Sequence, residues 1–245
     1  MRKQIALVLA AGAALVAGPV RAADLPYYPP VVEAPDVDYG VSGSFYLRGS
    51  AAGNMSWAKE VDHTTTTPSV FSIDENGYGY SLGAGVGYET GTGLRFDATV
   101  DYLNNNDLSA DIPVGAVGVF PGRHKLNLRS TIVLANAYYD FGLGDGGVGA
   151  GGGLFGYVGA GVGAAFNKVN TTPPAGAPAD VEGNNTSFAA AFMAGVGYDM
   201  GAVVADIGYR GLYINSIAND SAPAPYHIDN ALVHEVRASL RYRFN

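Results

Sequence analysis

From Ser44 to Phe244 the chain returns again and again to one pattern: extended runs in which every second residue is apolar and the residues between are small, polar or charged. A period of two marks a strand whose two faces meet different surroundings. The first run, 44–57, sets Phe45, Leu47, Ala51, Met55 and Trp57 against Tyr46, Arg48, Ser50, Asn54 and Ser56. The second, 77–89, sets Tyr78, Tyr80, Leu82, Ala84, Val86 and Tyr88 against a face that is mostly glycine. The third, 94–103, sets Leu94, Phe96, Ala98, Val100 and Tyr102 against Arg95, Asp97, Thr99 and Asp101. Runs at 154–166, 187–199, 203–214 and 232–244 repeat the pattern. The fourth, 125–141, changes parity: Leu126, Leu128, Ile132 and Leu134 share one face, but Ala137, Tyr139 and Phe141 share the other. A bulge near Leu134 and an apolar patch on the inner face explain this equally well.

Alternation alone fits a soluble sandwich as well as a barrel. The faces opposite the apolar ones decide between them. They carry Arg48, Arg95, Asp97, Asp101, Asp206, Arg210, Glu235, Arg237 and Arg241. A sandwich core cannot bury so many charges without a large desolvation cost, whereas in a barrel lumen they pair with one another and with water. Aromatic residues sit at the ends of the apolar faces. Trp57, Tyr78, Tyr102, Phe166, Phe188 and Tyr213 would form one girdle, and Phe45, Tyr88, Phe96, Tyr139, Tyr198 and Phe244 the other, as in barrels that span a bilayer. Each run has about the 9–11 residues that a tilted strand needs to cross. The predicted fold is therefore all-β: an eight-stranded antiparallel up-and-down transmembrane β-barrel over residues 43–245. With eight strands, side chains fill the interior. Gly83, Gly85, Gly87, Gly159, Gly161 and Gly163 leave room for bulky inward residues such as Tyr46, Arg237 and Arg241.

The connections alternate in character. Glu89–Gly93, Gly142–Gly153 and Asp199–Ala202 are rich in glycine, and two of them are very short. Residues 58–76, 104–124, 167–186 and 215–231 are long, polar and read as loops. Short turns at one end and long loops at the other fit a barrel of the outer membrane, and an even strand number puts both termini on the periplasmic side.

Residues 1–22 read as a secretory signal. Arg2 and Lys3 open it, Ile5–Val20 is uncharged, and Val20-Arg21-Ala22 places small residues where the peptidase reads, so cleavage is expected after Ala22. Residues 23–42, with Pro26, Pro29, Pro30 and Pro35, form an extended periplasmic linker. Loss of Arg2, Lys3 and Arg21 takes the net charge from −8 to −11. An acidic mature chain argues against nucleic acid and anionic headgroups as main partners. The chain has no cysteine, which excludes disulfides, thiol nucleophiles and a lipidated cysteine. No cofactor is predicted.

Tyr138–Gly142 (Tyr-Tyr-Asp-Phe-Gly), Tyr157–Gly163, Ala194–Asp199, Gly208–Arg210 and the arginine-rich last run resemble, in order and spacing, the porin-like surface-antigen barrels of alphaproteobacterial outer membranes. Those are relatives in architecture of the OmpA membrane domain and OmpX. The resemblance spans about residues 40–245. Family chains usually end on an aromatic residue read by the barrel-assembly machinery, whereas here Asn245 follows Phe244. The resemblance implies an abundant, surface-exposed, non-enzymatic protein in contact with outer-membrane lipids, lipopolysaccharide and that assembly machinery. Some members bind haemin, and some are tethered to peptidoglycan through a mature Ala-Asp terminus. Here that terminus is Ala23-Asp24.

Chemistry-bearing residues are few. His63, His124 and His227 fall in three different long loops, and Tyr226-His227 is the pair to test for haemin. A lipid A-modifying enzyme would need a nucleophile, a histidine and an orienting carboxylate. His234 and Glu235 are the nearest local candidates, but neighbouring strand residues face opposite sides. A narrow porin for small solutes is the other rival. Crowded arginines and aspartates in the lumen argue against wide conductance.

Overall fold

The computed structural model describes residues 43–143, 153–178, 182–221 and 225–244. Residues 1–22 and 23–42, read above as a signal and a linker and including Ala23 and Asp24, lie outside them, as does Asn245. The strands are β1 (Ser44–Trp57), β2 (Glu60–His63), β3 (Val70–Glu75), β4 (Gly77–Glu89), β5 (Leu94–Ile112), β6 (Gly122–Gly142), β7 (Gly153–Thr172), β8 (Gly183–Asp199), β9 (Val203–Asn219) and β10 (Tyr226–Phe244). Eight of them close a ring. β1 pairs with β4, β4 with β5, and so on through β10, which pairs back with β1 from Phe45↔Phe244 to Trp57↔Leu232. All pairings are antiparallel between chain neighbours, so this is an up-and-down barrel of eight staves. Over the rungs between the girdles closure leaves no unpaired edge among the described strands, the condition a strand must meet in hydrocarbon. At the long-loop end β8 and β9 stop pairing at Ala189↔Ile214.

The outward faces are those read from the alternation. Phe45, Val86, Val100, Val162, Phe192, Val236 and Leu240 are each at least half exposed. On a soluble protein such a continuous apolar girdle would be a large unfavourable patch; against lipid it is the expected surface. Phe45, Tyr88 and Phe96 lie side by side in register near the short-turn end, flanked by Phe244. At that end Gly91 and Gly201 adopt φ of 77° and 93°, a left-handed conformation that glycine enters without a steric cost and that lets a few residues reverse the chain.

β6 resolves the parity question. Its register with β7 runs unbroken from Lys125↔Thr172 to Gly142↔Phe155, so there is no bulge near Leu134. Leu126, Leu128, Ile132 and Leu134 point inward and are buried, so they form an apolar patch of the lumen.

The long connections differ from expectation. Much of 104–124, 167–186 and 215–231, predicted as loops, is strand: β5 runs to Ile112, β6 starts at Gly122, β7 reaches Thr172 and β9 reaches Asn219. Within 58–76, β2 and β3 form a hairpin that pairs with β10 (Tyr226↔His63) and β5 (Ile73↔Ala110). Where β1 and β4 stop, this hairpin takes their place in the wall. Inward parity also shifts at this level. β5 slips register between Asn105 and Leu108, with Asp107 at φ 66°, and Asn230 of β10 sits at φ 57°. Asp and Asn are among the few non-glycine residues that tolerate such a φ.

Candidate functional site

The interior is layered. At mid-height Asp101, Arg210, Glu235 and Arg237 form a closed square of ion pairs. Arg210 meets Asp101 at 2.7 Å and Glu235 at 2.5 Å, while Arg237 meets Asp101 at 2.7 Å and Glu235 at 3.2 Å. Asp101 belongs to β5 and the other three to β9 and β10, so the square crosses the lumen. Ser81 Oγ donates to Glu235 at 2.6 Å, and Arg237 donates to Ser50 Oγ at 2.7 Å, tying β4 and β1 to it.

Towards the short-turn end, Asp97 accepts from Tyr46 Oη (2.9 Å), Asn136 Nδ2 (2.7 Å) and Arg48 (3.3 Å). Arg48 also donates to Tyr138 Oη at 2.8 Å. Asp206 accepts from Ser239 at 2.6 Å and Tyr157 at 3.2 Å. Below these, Arg95 makes a bidentate contact with Asp140 (3.1 and 3.0 Å) and lies 3.9 Å above the Tyr138 ring centroid. Arg241 pairs with Glu89, which also meets Arg243 at 2.6 Å.

All nine charged residues singled out from the alternation point inward, and none is more than 7% exposed. The structure gathers them into two groups, the square and a second set in which Arg48, Asp97, Arg95, Asp140, Arg241 and Asp206 are joined, and adds members that the strand pattern concealed. Glu89 had been placed in a turn. Asp140 lies on β6, whose parity was open until Leu126 was known to face inward. Five arginines (48, 95, 210, 237, 241) meet six carboxylates (89, 97, 101, 140, 206, 235), which makes the lumen nearly neutral among the described residues. Neutralisation within the barrel is what makes so many buried ions tolerable.

The inward glycines provide the room. A Cβ on Gly83 would collide with the Asp101 carboxylate and the Ser50 hydroxyl, whereas one on Gly49, which faces outward, would meet nothing within 4 Å. Gly83→Val is expected to cost about 1–3 kcal/mol by overpacking. Gly49→Val should stay within about 0.5 kcal/mol of the parent, as surface changes usually do. Urea titrations in detergent micelles measure both.

Above the ionic square the interior is mixed: Leu103, Leu128, Val169, Ile214, Ile217 and Val233 are buried beside the hydrogen-bonded Asn54, Asn105, Ser130 and Asn167. Beyond them, at the long-loop end, lies a cavity of about 150 Å³ to which His63, His124 and Tyr226 contribute. Tyr226 and His227 are not brought together. Tyr226 is buried inside, hydrogen-bonded with Thr171 Oγ1 at 2.7 Å, and His227 is on the opposite face of β10. His234 also points outward, where its Nδ1 lies 2.6 Å from Tyr209 Oη, while Glu235 is held in the square. Outside the membrane zone Arg123 bridges Asp111 and Glu75, which raise its pKa above the ordinary value.

With this geometry the comparisons with known proteins take their place. Uncharacterized proteins of Brucella abortus (strain 2308) and Brucella suis biovar 1 (strain 1330) are each 30% identical over 270 aligned positions, covering 91% of this chain and 92% of the relative. The chain belongs to the family of these Brucella proteins. No family model matches the chain. Among solved structures, Neisserial surface protein A (NspA) is 21% identical over 83% of this chain and 99% of its own, with a TM-score of 0.49. The outer membrane protein OprG from Pseudomonas aeruginosa is 14% identical over 83% of this chain and 97% of its own, with a TM-score of 0.48. The assignment of an eight-stranded transmembrane barrel rests on this chain's own strand ring and its exposed apolar girdle.

Proposed function

We propose that this family member is an integral outer-membrane protein of the porin-like surface-antigen type, with a structural and surface-exposed role and no catalytic one. The observation that carries the proposal is the pairing of an apolar, aromatic-girdled outer face with a lumen closed by compensated ion pairs. Export by residues 1–22 would deliver it past the inner membrane, and barrel-assembly machinery would insert it among outer-membrane lipids and lipopolysaccharide. β1 begins and β10 ends beside each other at the short-turn end. On this reading that end is periplasmic, and both termini emerge there.

The same orientation favours a peptidoglycan tether through Ala23-Asp24. A linker of about 18 residues, at about 3 Å each when rich in proline, reaches some tens of ångströms. Muramidase digestion followed by mass analysis of the N-terminal peptide is expected to show Ala23-Asp24 joined to a muropeptide fragment. A wholly unmodified Ala23 would remove the tether from the proposal.

A narrow porin finds little support. The square and the buried layer above it, which mixes aliphatic side chains with hydrogen-bonded Asn and Ser, occupy the lumen one over the other. Planar-bilayer recordings of purified protein are expected to show no large, long-lived single-channel steps, and such steps would overturn the closed-lumen reading. Haemin capture through Tyr226 and His227 would require two residues on opposite faces of a strand to act together. The neighbouring cavity is also smaller than the roughly 300–1,000 Å³ of sites that hold drug-sized ligands.

A further inference from the structure

The cavity at the long-loop end has a composition that points to its own ligand class. Val61, Leu108, Ile112, Leu126 and Ile228 supply its aliphatic wall. His63 supplies an aromatic one, with Phe71 edge-on at 5.6 Å on one side and Tyr226 at 5.6 Å on the other. Among the described residues that line it there is no Asp, Glu, Lys or Arg.

The polar side chains at the wall are already engaged within the protein. Tyr226 Oη is bonded with Thr171, Ser109 Oγ donates to Glu75, and His124 Nε2 lies 2.8 Å from the Phe120 carbonyl oxygen. His63 is engaged as well. A water molecule entering needs two to four polar partners and would find few of them free, so the void is hydrophobic in effect.

The cover is built. Thr67 and Val117 exchange backbone hydrogen bonds at 3.0 and 3.1 Å, pinning the 113–121 segment to the one at 64–69, and Ala177 and Pro178 flank the void from the connection after β7. Below it lies the buried layer that holds Leu103, Leu128 and Val169 beside Asn105 and Asn167, with the ionic square beneath.

We infer that this cavity is a binding site for a small uncharged hydrocarbon, monocyclic and aromatic, of about the size of benzene or toluene. An apolar cavity of about 150 Å³ holds benzene in another protein. The aromatic walls offer edge-to-face contact to a ring, and the described lining residues offer a carboxylate or an ammonium no counter-ion, which favours an uncharged ligand.

The test is a titration of the full mature chain in phospholipid nanodiscs with toluene, followed by methyl NMR of Ile112, Leu126 and Ile228. Saturable shifts of these methyls are expected, with benzoate at least tenfold weaker. Ala177→Phe, in the cover, and Ala110→Phe, in the wall, should each weaken toluene at least tenfold. The cover position lies outside the barrel staves, so it keeps the test decisive should the wall variant fail to fold. Non-saturable shifts, equal binding of benzoate, or Ala177→Phe binding toluene as the parent does would each overturn the inference.

Discussion

Asp101→Ala is expected to destabilise the folded barrel by about 3–5 kcal/mol, the usual cost of removing one partner from a buried ion pair. The reason lies in the square. Asp101 is fully buried and bridges Arg210 and Arg237, so its removal leaves two guanidinium groups with only Glu235 between them. In the ring's geometry each arginine touches both carboxylates, and no other described carboxylate lies within ion-pair distance of either arginine. Removing Arg237 as well should recover part of the loss, because Arg210 and Glu235 then remain as a balanced pair. A double-mutant cycle by urea unfolding in lipid vesicles measures this. Additive losses in the cycle would mean that the four side chains do not act as one unit.

Ala238→Arg tests the other face. Ala238 is exposed and lies midway between the girdle rungs of β10 at Leu232 and Phe244, paired with Ala51 of β1 and Ile207 of β9. No buried contact is lost there, so on a water-facing surface the change would be close to neutral. At the bilayer midplane an outward arginine costs about 2–4 kcal/mol. The loss should shrink to about 0–1 kcal/mol for Phe244→Arg, at the interface end of the same strand. Unfolding from vesicles measures both, and equal effects at the two depths would remove the lipid from the explanation.

The staves were legible because the bilayer imposes one rule on every outward position between the girdles. Leu47, Val86, Val100, Val162 and Leu240 follow it, and whatever alternates with them must face the lumen. That is why a charge such as Arg48 or Asp206 could be assigned inward by parity alone. Beyond the girdles the rule lapses. Asn167, Lys168, Val169, Asn170 and Thr171 continue β7 in register with β6, yet no apolar outward face marks them as strand. Along β5 the slip at Asp107 reverses the inward parity, so Leu108, Ala110 and Ile112 read as disorderly in sequence while facing one wall of the cavity. The hairpin β2–β3 was hidden for the same reason. The cavity was invisible because it is assembled from segments that sequence treats as separate loops, and Tyr226 and His227 looked like a pair only because they are adjacent in the chain.

The central claim is that alternate residues of each stave face hydrocarbon and a closed, ion-paired lumen. The absence of native cysteine allows single-cysteine spin labelling without a background. Labels placed along β10 at Val236, Ala238 and Leu240, read by electron paramagnetic resonance in vesicles, should be accessible to oxygen and shielded from a water-soluble relaxant, with the depth greatest near Ala238. A label at Ser239 should be immobilised and shielded from both. If instead the labels at 236, 238 and 240 are reached freely by the water-soluble relaxant in vesicle-bound, folded protein, the barrel does not face lipid and the account is contradicted.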